Sequence, residues 1–428
     1  MKKILLGFLL IALNIARAAE PRADYTAHEW GTFTSVQGGD GVLLRWRPLE
    51  SSLLPGFVYD WKRPGLNRPV LGPNPFSKGS LVSLQRMETP VIYFYSKTEQ
   101  TVYTSVKFPK GYITEWFPQA GRIGPAFIPD NPATVNESRI DWARVTLRPV
   151  AEKNNPPLPA DKSGSHYFAA RETDAAFVRV DAGGEAGPEI EKFLFYRGVG
   201  DFPTPLVVRM NDGGELTITN TGGGNLAHLF VLTLKQGHGT YFHFDSLAPG
   251  ESRMAPVNVK SDDLSQNDLT ALLGRDVANA LVSQGLFQRE AEAMVNTWRD
   301  SWFAEDGVRV LYLLPRAWTD ETLPLTLNPA PESLVRVMVG RAEVITPGVQ
   351  KELRDQLAAA AGGDAASRES AIAGLKKLGR FAAPALTLAL KDADQKIISL
   401  SWQLLQQITP QPAAAGLQAA VPGPGNFE

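Results

Sequence analysis

Apolar and polar residues alternate with a period of two through long parts of the chain before residue 260. The clearest run is Lys192–Asp245, which predicts strands over Lys192–Arg197, Leu206–Met210, Glu215–Asn220, Leu226–Lys235 and Tyr241–Asp245. Asn211–Gly214, Thr221–Asn225 and Gly237–Gly239 separate them and supply the glycines that tight hairpins need for positive φ. Strict alternation in Leu226–Lys235 sets Leu226, His228, Phe230, Leu232 and Leu234 on one face and Ala227, Leu229 and Val231 on the other. A strand apolar on both faces is covered on both, so this stretch is expected to organise the fold.

Further strands are expected over Pro90–Tyr95, Thr101–Phe108, Tyr112–Phe117, Asp141–Val150, Tyr167–Arg171 and Ala176–Asp181. Earlier, Tyr25–Gln37 and Val42–Trp46 flank the cluster Gly38-Gly39-Asp40-Gly41 and read as a hairpin, whereas residues 47–85 are rich in proline and glycine and read as an irregular surface excursion. The period then changes to 3.6. Leu269, Leu272, Leu273, Val277, Ala280 and Leu281 form one helical stripe, with Ser265 as N-cap and Gly285 as terminator; Phe287, Ala291, Met294, Val295, Trp298 and Trp302 form a second. Strands resume at Val308–Leu314, Leu323–Leu327 and Leu334–Val339, and after Thr346-Pro347 the chain reads as helix to about Ile408.

The expected architecture is therefore mainly β, a β-sandwich with an inserted helical hairpin and a small all-α C-terminal region. The expected divisions are 1–18, a signal peptide; 25–160, an N-terminal β-rich domain; 161–346, a β-sandwich with the helical insertion 262–305; 347–409, a helical region; and 410–428, a disordered tail of proline, alanine and glycine. The start supports the first division. Lys2 and Lys3, the apolar run Ile4–Ala12 and Ala16-Arg17-Ala18 make the three parts of a secretory signal, too short for a membrane span. Cleavage after Ala18 takes the basic count from 43 to 40 against 45 acids, which argues against nucleic acid as a partner. The absence of cysteine excludes disulfides, thiolate metal sites and a cysteine nucleophile. The expectation is an exported protein, periplasmic or extracellular.

The run His28-Glu29-Trp30-Gly31-Thr32-Phe33-Thr34-Ser35-Val36 resembles the start of a group of uncharacterised exported bacterial proteins, and the resemblance extends to about Pro347. It implies export and a shared architecture, and no activity. Thr217–Gly222 with Leu247–Glu251 is similar to bacterial immunoglobulin-like adhesion and scaffold modules. Leu378–Leu386, Leu390–Asp394 and Leu404-Leu405 resemble a HEAT repeat, although Ile397 and Ile398 stand where such repeats usually carry valine-arginine. Fewer than three repeats do not bury a solenoid core, so this piece must dock on another domain or on a partner.

Candidate chemistry is sparse. His28 and Glu29 could ligate a metal or exchange a proton, but neighbouring strand residues point to opposite faces, and a polar anchor is the plainer reading. Arg171, Glu172 and Asp174, and Arg197 near Asp201, could grip an anion or act as acid and base, or form cross-strand ion pairs. His238 and His243, with His228 upstream and a carboxylate such as Asp245 or Glu29, are secondary candidates for a divalent metal; no other cofactor is implied. Trp30, Trp46, Trp61, Trp116 and Trp142 could stack on sugar rings or form an aromatic core. The signatures G-x-S-x-G, Gly-Lys-Ser/Thr and H-E-x-x-H do not occur.

Three functions are open at this point. The first is an exported binding or scaffold protein that docks a protein partner through 347–409. The second is an exported hydrolase of an envelope polymer using His28, Glu29 and carboxylates near Arg171 or Arg197. The third is carbohydrate binding without catalysis.

Overall fold

The computed structural model describes residues 23–49, 54–65, 82–125, 138–183, 187–260, 262–363 and 365–408. The expected signal peptide, the tail 410–428 and residues 50–53 and 66–81 of the proline-rich excursion lie outside them. The described chain is mainly β, built from three sheets, an inserted pair of helices and four C-terminal helices.

Strand Ala23–Gly38 lies near the middle of an eleven-stranded sheet. On one side it pairs in parallel with Pro331–Ile345, His28 opposite Val335 and Trp30 opposite Val337. On the other it pairs antiparallel with Gln85–Ser96. Beyond Pro331–Ile345 come Gly307–Leu313, Leu226–Lys235, His238–Leu247 and Leu264–Ser265; beyond Gln85–Ser96 come Leu194–Gly200, Gly111–Phe117 and Tyr59–Asp60. Leu43–Leu44 folds back on the end of the central strand.

The composition of Ala23–Gly38 explains its position. Tyr25, Ala27 and Phe33 enter a core shared with a six-stranded sheet that carries Val106, Ile140 and Trp142. Trp30 faces the other way, into the helical hairpin. Val36, further along that second face, packs under the C-terminal helices with Leu353, Leu357 and Leu386. A strand apolar on both faces gains most at the centre of a covered sheet.

That arrangement redistributes Lys192–Asp245. Leu194–Gly200 belongs to one half of the large sheet, while Leu226–Lys235 and His238–Leu247 belong to the other. Leu206–Met210 and Glu215–Asn220 leave it altogether and join Ser252–Pro256 in a separate three-stranded sheet. The stretch therefore does not form one continuous meander. Four strands, Gly307–Leu313, Pro331–Ile345, Ala23–Gly38 and Gln85–Ser96, take the centre and divide it.

The alternation expected for Leu226–Lys235 also breaks. His228 has φ +45°, and pairing with Gly307–Leu313 steps from Ala227–Leu313 to Phe230–Leu311, a β-bulge. Leu226, Leu229 and Val231 consequently share one core, and Phe230, Leu232 and Leu234 the other. His228 is carried off the apolar face on which strict alternation places it.

The helices follow their stripes. Gln266–Ser283 is capped by Ser265, whose hydroxyl accepts from the Asp268 amide; Gln288–Phe303 follows a turn at Gly285, φ +103°. Leu273, Val277, Met294, Trp298 and Trp302 are buried against the sheet. The strand expected at Tyr167–Arg171 is instead a 3-10 helix, His166–Arg171. Ser165 caps it by accepting from the Tyr167 amide, and spacing of three turns Tyr167 and Ala170 inward together. A short helix, Arg316–Thr322, precedes Leu325–Asn328. At the C-terminal end Thr346 caps Pro347–Gly362, followed by Ala365–Leu378, Ala382–Ala389 and Gln395–Ile408.

Candidate functional site

Between the helical hairpin and the C-terminal helices, the same face of the large sheet turns polar. Thr34 lies between Arg86 and Arg341 on the neighbouring strands, and Thr32 lies beside Glu88. Arg309 stands opposite Glu343, and Arg197 opposite Glu115. None of Arg86, Glu88, Glu115, Arg197, Arg309, Arg341 and Glu343 is more than 5% exposed. Removing an ion from water costs several kcal/mol, and only close pairing offsets it.

The pairing is close. Arg197 grips Glu115 through two nitrogens, at 3.0 and 2.6 Å. Arg309 Nε donates to Glu343 at 3.0 Å and its Nη1 to the Trp302 carbonyl at 2.8 Å, tying the sheet to the end of the hairpin. Arg341 Nε donates to the same Glu343 oxygen at 2.6 Å, and Arg86 stands 3.4 Å from Glu88. Burial disfavours the charged form of Arg341, but the carboxylates of Glu343, Glu88 and Glu305 outweigh it and raise its pKa. The hydroxyls of Thr32 and Thr34 and Nη1 of Arg341 are buried with no hydrogen-bond partner among the described residues.

Glu305 links this band to the surface. It lies 3.4 Å from Arg341 Nη2, is 42% exposed, and lines a groove of about 980 Å³. The groove has three walls: the loops at one end of the small sheet (210–214 and 257–259), the end of the large sheet at 233–235 with the turn 305–308, and the C-terminal region at 346–349, Glu352 and Leu378. Its apolar lining includes Leu234, Val257 and Phe381. Among the described residues its charge is unequal, with Asp212, Glu305, Asp306 and Glu352 against Lys235.

The candidates read from the sequence are distributed as follows. His28 faces the hairpin, its Nδ1 2.6 Å from Glu290 of the second helix. Glu29 faces the other core, accepting from Arg336 at 2.5 Å and from the Tyr196 hydroxyl at 2.6 Å. Adjacent strand positions thus place the two in different cores. Arg171 chelates Glu191, which also accepts from Tyr167. Glu172 is exposed, and Asp174 pairs with Arg289 at the surface. Arg197 alone of the six belongs to the charged band.

Among the histidines, His238 is exposed at the hairpin turn, opposite Lys235. His228 and His243 come together instead, Nδ1 to Nε2 at 3.3 Å, with Asp245 beside His243. Of the five N-terminal tryptophans, Trp30, Trp46, Trp116 and Trp142 are at most 1% exposed, and half-buried Trp61 donates to the Ile113 carbonyl. These five present no pair of exposed coplanar rings.

Sequence reasoning overlooked Arg86, Glu88, Arg309, Arg341 and Glu343. The available signal was charge inside apolar strands, as in Leu334-Val335-Arg336-Val337-Met338-Val339-Gly340-Arg341-Ala342-Glu343. Such a residue has to be paired when its strand is buried on both faces.

Comparison with protein-family models gives no match, and comparison with curated proteins gives none. Among solved structures, the chain is similar to the yeast delta-COP-I mu-homology domain at 6% identity and TM-score 0.27, over 76% of this chain and 99% of that one. The same domain complexed with the Dsl1 WxWxV peptide aligns at 6% identity and TM-score 0.28, over 76% and 100%. Similarity at this level carries no inference about fold or partner. No helix among the described residues is long and apolar enough to cross a membrane.

Proposed function

We propose that this is an exported binding protein that holds a cationic segment of a protein partner in the groove between its β body and its C-terminal helices. The groove carries the reading. Its walls come from both parts of the molecule, its apolar lining can take aliphatic stems, and the acidic excess among its described residues selects for lysine or arginine. At about 980 Å³ it is at the upper end of ligand clefts, roughly 300–1,000 Å³, which suits several residues of an extended chain. The Arg341–Glu305 contact orients one rim carboxylate from below.

The immunoglobulin-like and HEAT-like resemblances support a binding role, and the Met1–Ala18 segment supports export. In this reading the C-terminal helices use one face to dock on Val36, Trp46 and Ile345 and leave another to form the groove wall.

Fluorescence anisotropy with labelled peptides of equal length tests it. Arginine- and lysine-bearing peptides bind the full chain, binding weakens with salt, and Glu352→Lys with Asp212→Lys reduces affinity tenfold or more. Equal affinity for aspartate- and glutamate-bearing peptides, or affinity indifferent to the double reversal, refutes it.

A further inference from the structure

The bulge at His228 has a second effect, on the imidazole itself. A positive φ, +45°, at a non-glycine residue is strained, and such strain persists where the surroundings impose it. Here it aims the ring across the strand pair at His243, with Nδ1 of one 3.3 Å from Nε2 of the other. Two nitrogens bound about 2.0–2.1 Å from a tetrahedral zinc ion stand about 3.3 Å apart. With one ligand atom taken from each of His228, His243 and Asp245, all three lie within 4.8 Å of one another.

The surroundings also favour one tautomer. Ser283, at the end of the first hairpin helix, donates its hydroxyl proton to the Ala280 carbonyl at 2.7 Å. With that proton directed at the carbonyl, the same oxygen, 3.0 Å from His228 Nε2, is left to accept from it. With its proton on Nε2, His228 presents the Nδ1 lone pair to His243. Outer-shell hydrogen bonds of this kind orient metal-ligating histidines. The His243 ring is held from its face by Phe230, stacked at 4.4 Å and 6°.

We propose that His228, His243 and Asp245 bind a borderline divalent transition ion of the Zn²⁺ class, with solvent completing the shell. Imidazole nitrogen with one carboxylate favours such ions over Mg²⁺ or Ca²⁺, which take oxygen ligands. Through Ser283 the ion couples the outer strands of the large sheet to the hairpin. The site is independent of the groove, so either can fail without the other.

Calorimetric titration of the full chain with Zn²⁺ alone and with Mg²⁺ alone is the test, with thermal unfolding followed in parallel. One equivalent of Zn²⁺ binds, Mg²⁺ does not compete, and Zn²⁺ raises the Tm. His228→Ala and His243→Ala each lose at least 100-fold in Zn²⁺ affinity and lose the Tm rise. His238→Ala, which changes an exposed histidine on the same hairpin, behaves as the unaltered protein. The unliganded variants keep their circular dichroism spectrum, because His243 is exposed and His228 only half-buried. No stoichiometric Zn²⁺ binding by the unaltered protein overturns the proposal, as does undiminished binding by His243→Ala or loss of binding in His238→Ala.

Discussion

Glu29 and Arg336 form a buried ion pair, 2.5 Å from carboxylate to Nε, between neighbouring parallel strands whose partners are 307 residues apart in the chain. It fastens the first described strand to the last strand of the same sheet. Arg336 extends its other nitrogens to Asp320 and to the Leu323 carbonyl, while Tyr196 donates to Glu29. The pair therefore fixes the register of the sheet at its centre.

Glu29→Ala leaves the guanidinium of Arg336 buried without its main counter-charge. Losing one partner of such a pair costs about 3–5 kcal/mol. Urea unfolding should show a loss of that order, and Glu29→Leu with Arg336→Met should recover much of it. A loss below about 1 kcal/mol, the worth of an exposed pair, would contradict the assignment.

Lys192 gives a pH signature. Burial lowers its pKa to about 8 from 10.5; Asp174 opposes that, Arg289 adds to it, and Glu191 opposes it. Between those two values the unfolded chain binds more protons than the folded one, so this residue makes stability rise with pH across the window. Below about pH 8 lysine is charged in both states and its penalty is constant. Burial raises the pKa of Tyr25 above its ordinary 10, so that phenol acts in the opposite sense at higher pH. Comparison with Lys192→Met isolates the lysine: its unfolding free energy should lack the rise between pH 8 and 10.5. Superimposable profiles would show that Lys192 keeps its ordinary titration.

Within the charged band, Glu343 serves both Arg309 and Arg341. Glu343→Gln should destabilise more than Arg341→Met, because it takes a counter-charge from two buried guanidiniums rather than removing one of them. A deficit of about 3 kcal/mol or more in urea is expected for the glutamine variant. The reverse ranking would mean that Glu88 and Glu305 carry the arginines.

How far the chain could be read in advance depended on the range of the forces involved. The stripes at Leu269–Leu281 and Phe287–Trp302, the Ser265 cap and the Gly285 stop are local, and each was legible. The opposite facing of His28 and Glu29 followed from strand parity alone. Pairing of Ala23–Gly38 with Pro331–Ile345 was not legible, because no local pattern names a partner so far away. The bulge at His228 was hidden by apolar neighbours on both sides, which look alike in either phase. Arg86 and Glu88 escaped notice because they lie between the excursion, expected to end at residue 85, and the strand expected to begin at Pro90, whereas the strand begins at Gln85. Arg341 and Glu343 lie in a strand that continues past its expected end at Val339.

The most direct test of the groove is where a bound partner touches the protein. A photo-crosslinking residue at Val349, which lines the groove, and one at Trp402, 57% exposed on the last helix and outside the groove lining, can be compared with the same arginine-bearing peptide. Crosslinking from position 349 and none from position 402 is the predicted result. Crosslinking from 402, or none from 349 while anisotropy shows the peptide bound, would place the partner elsewhere and contradict the account.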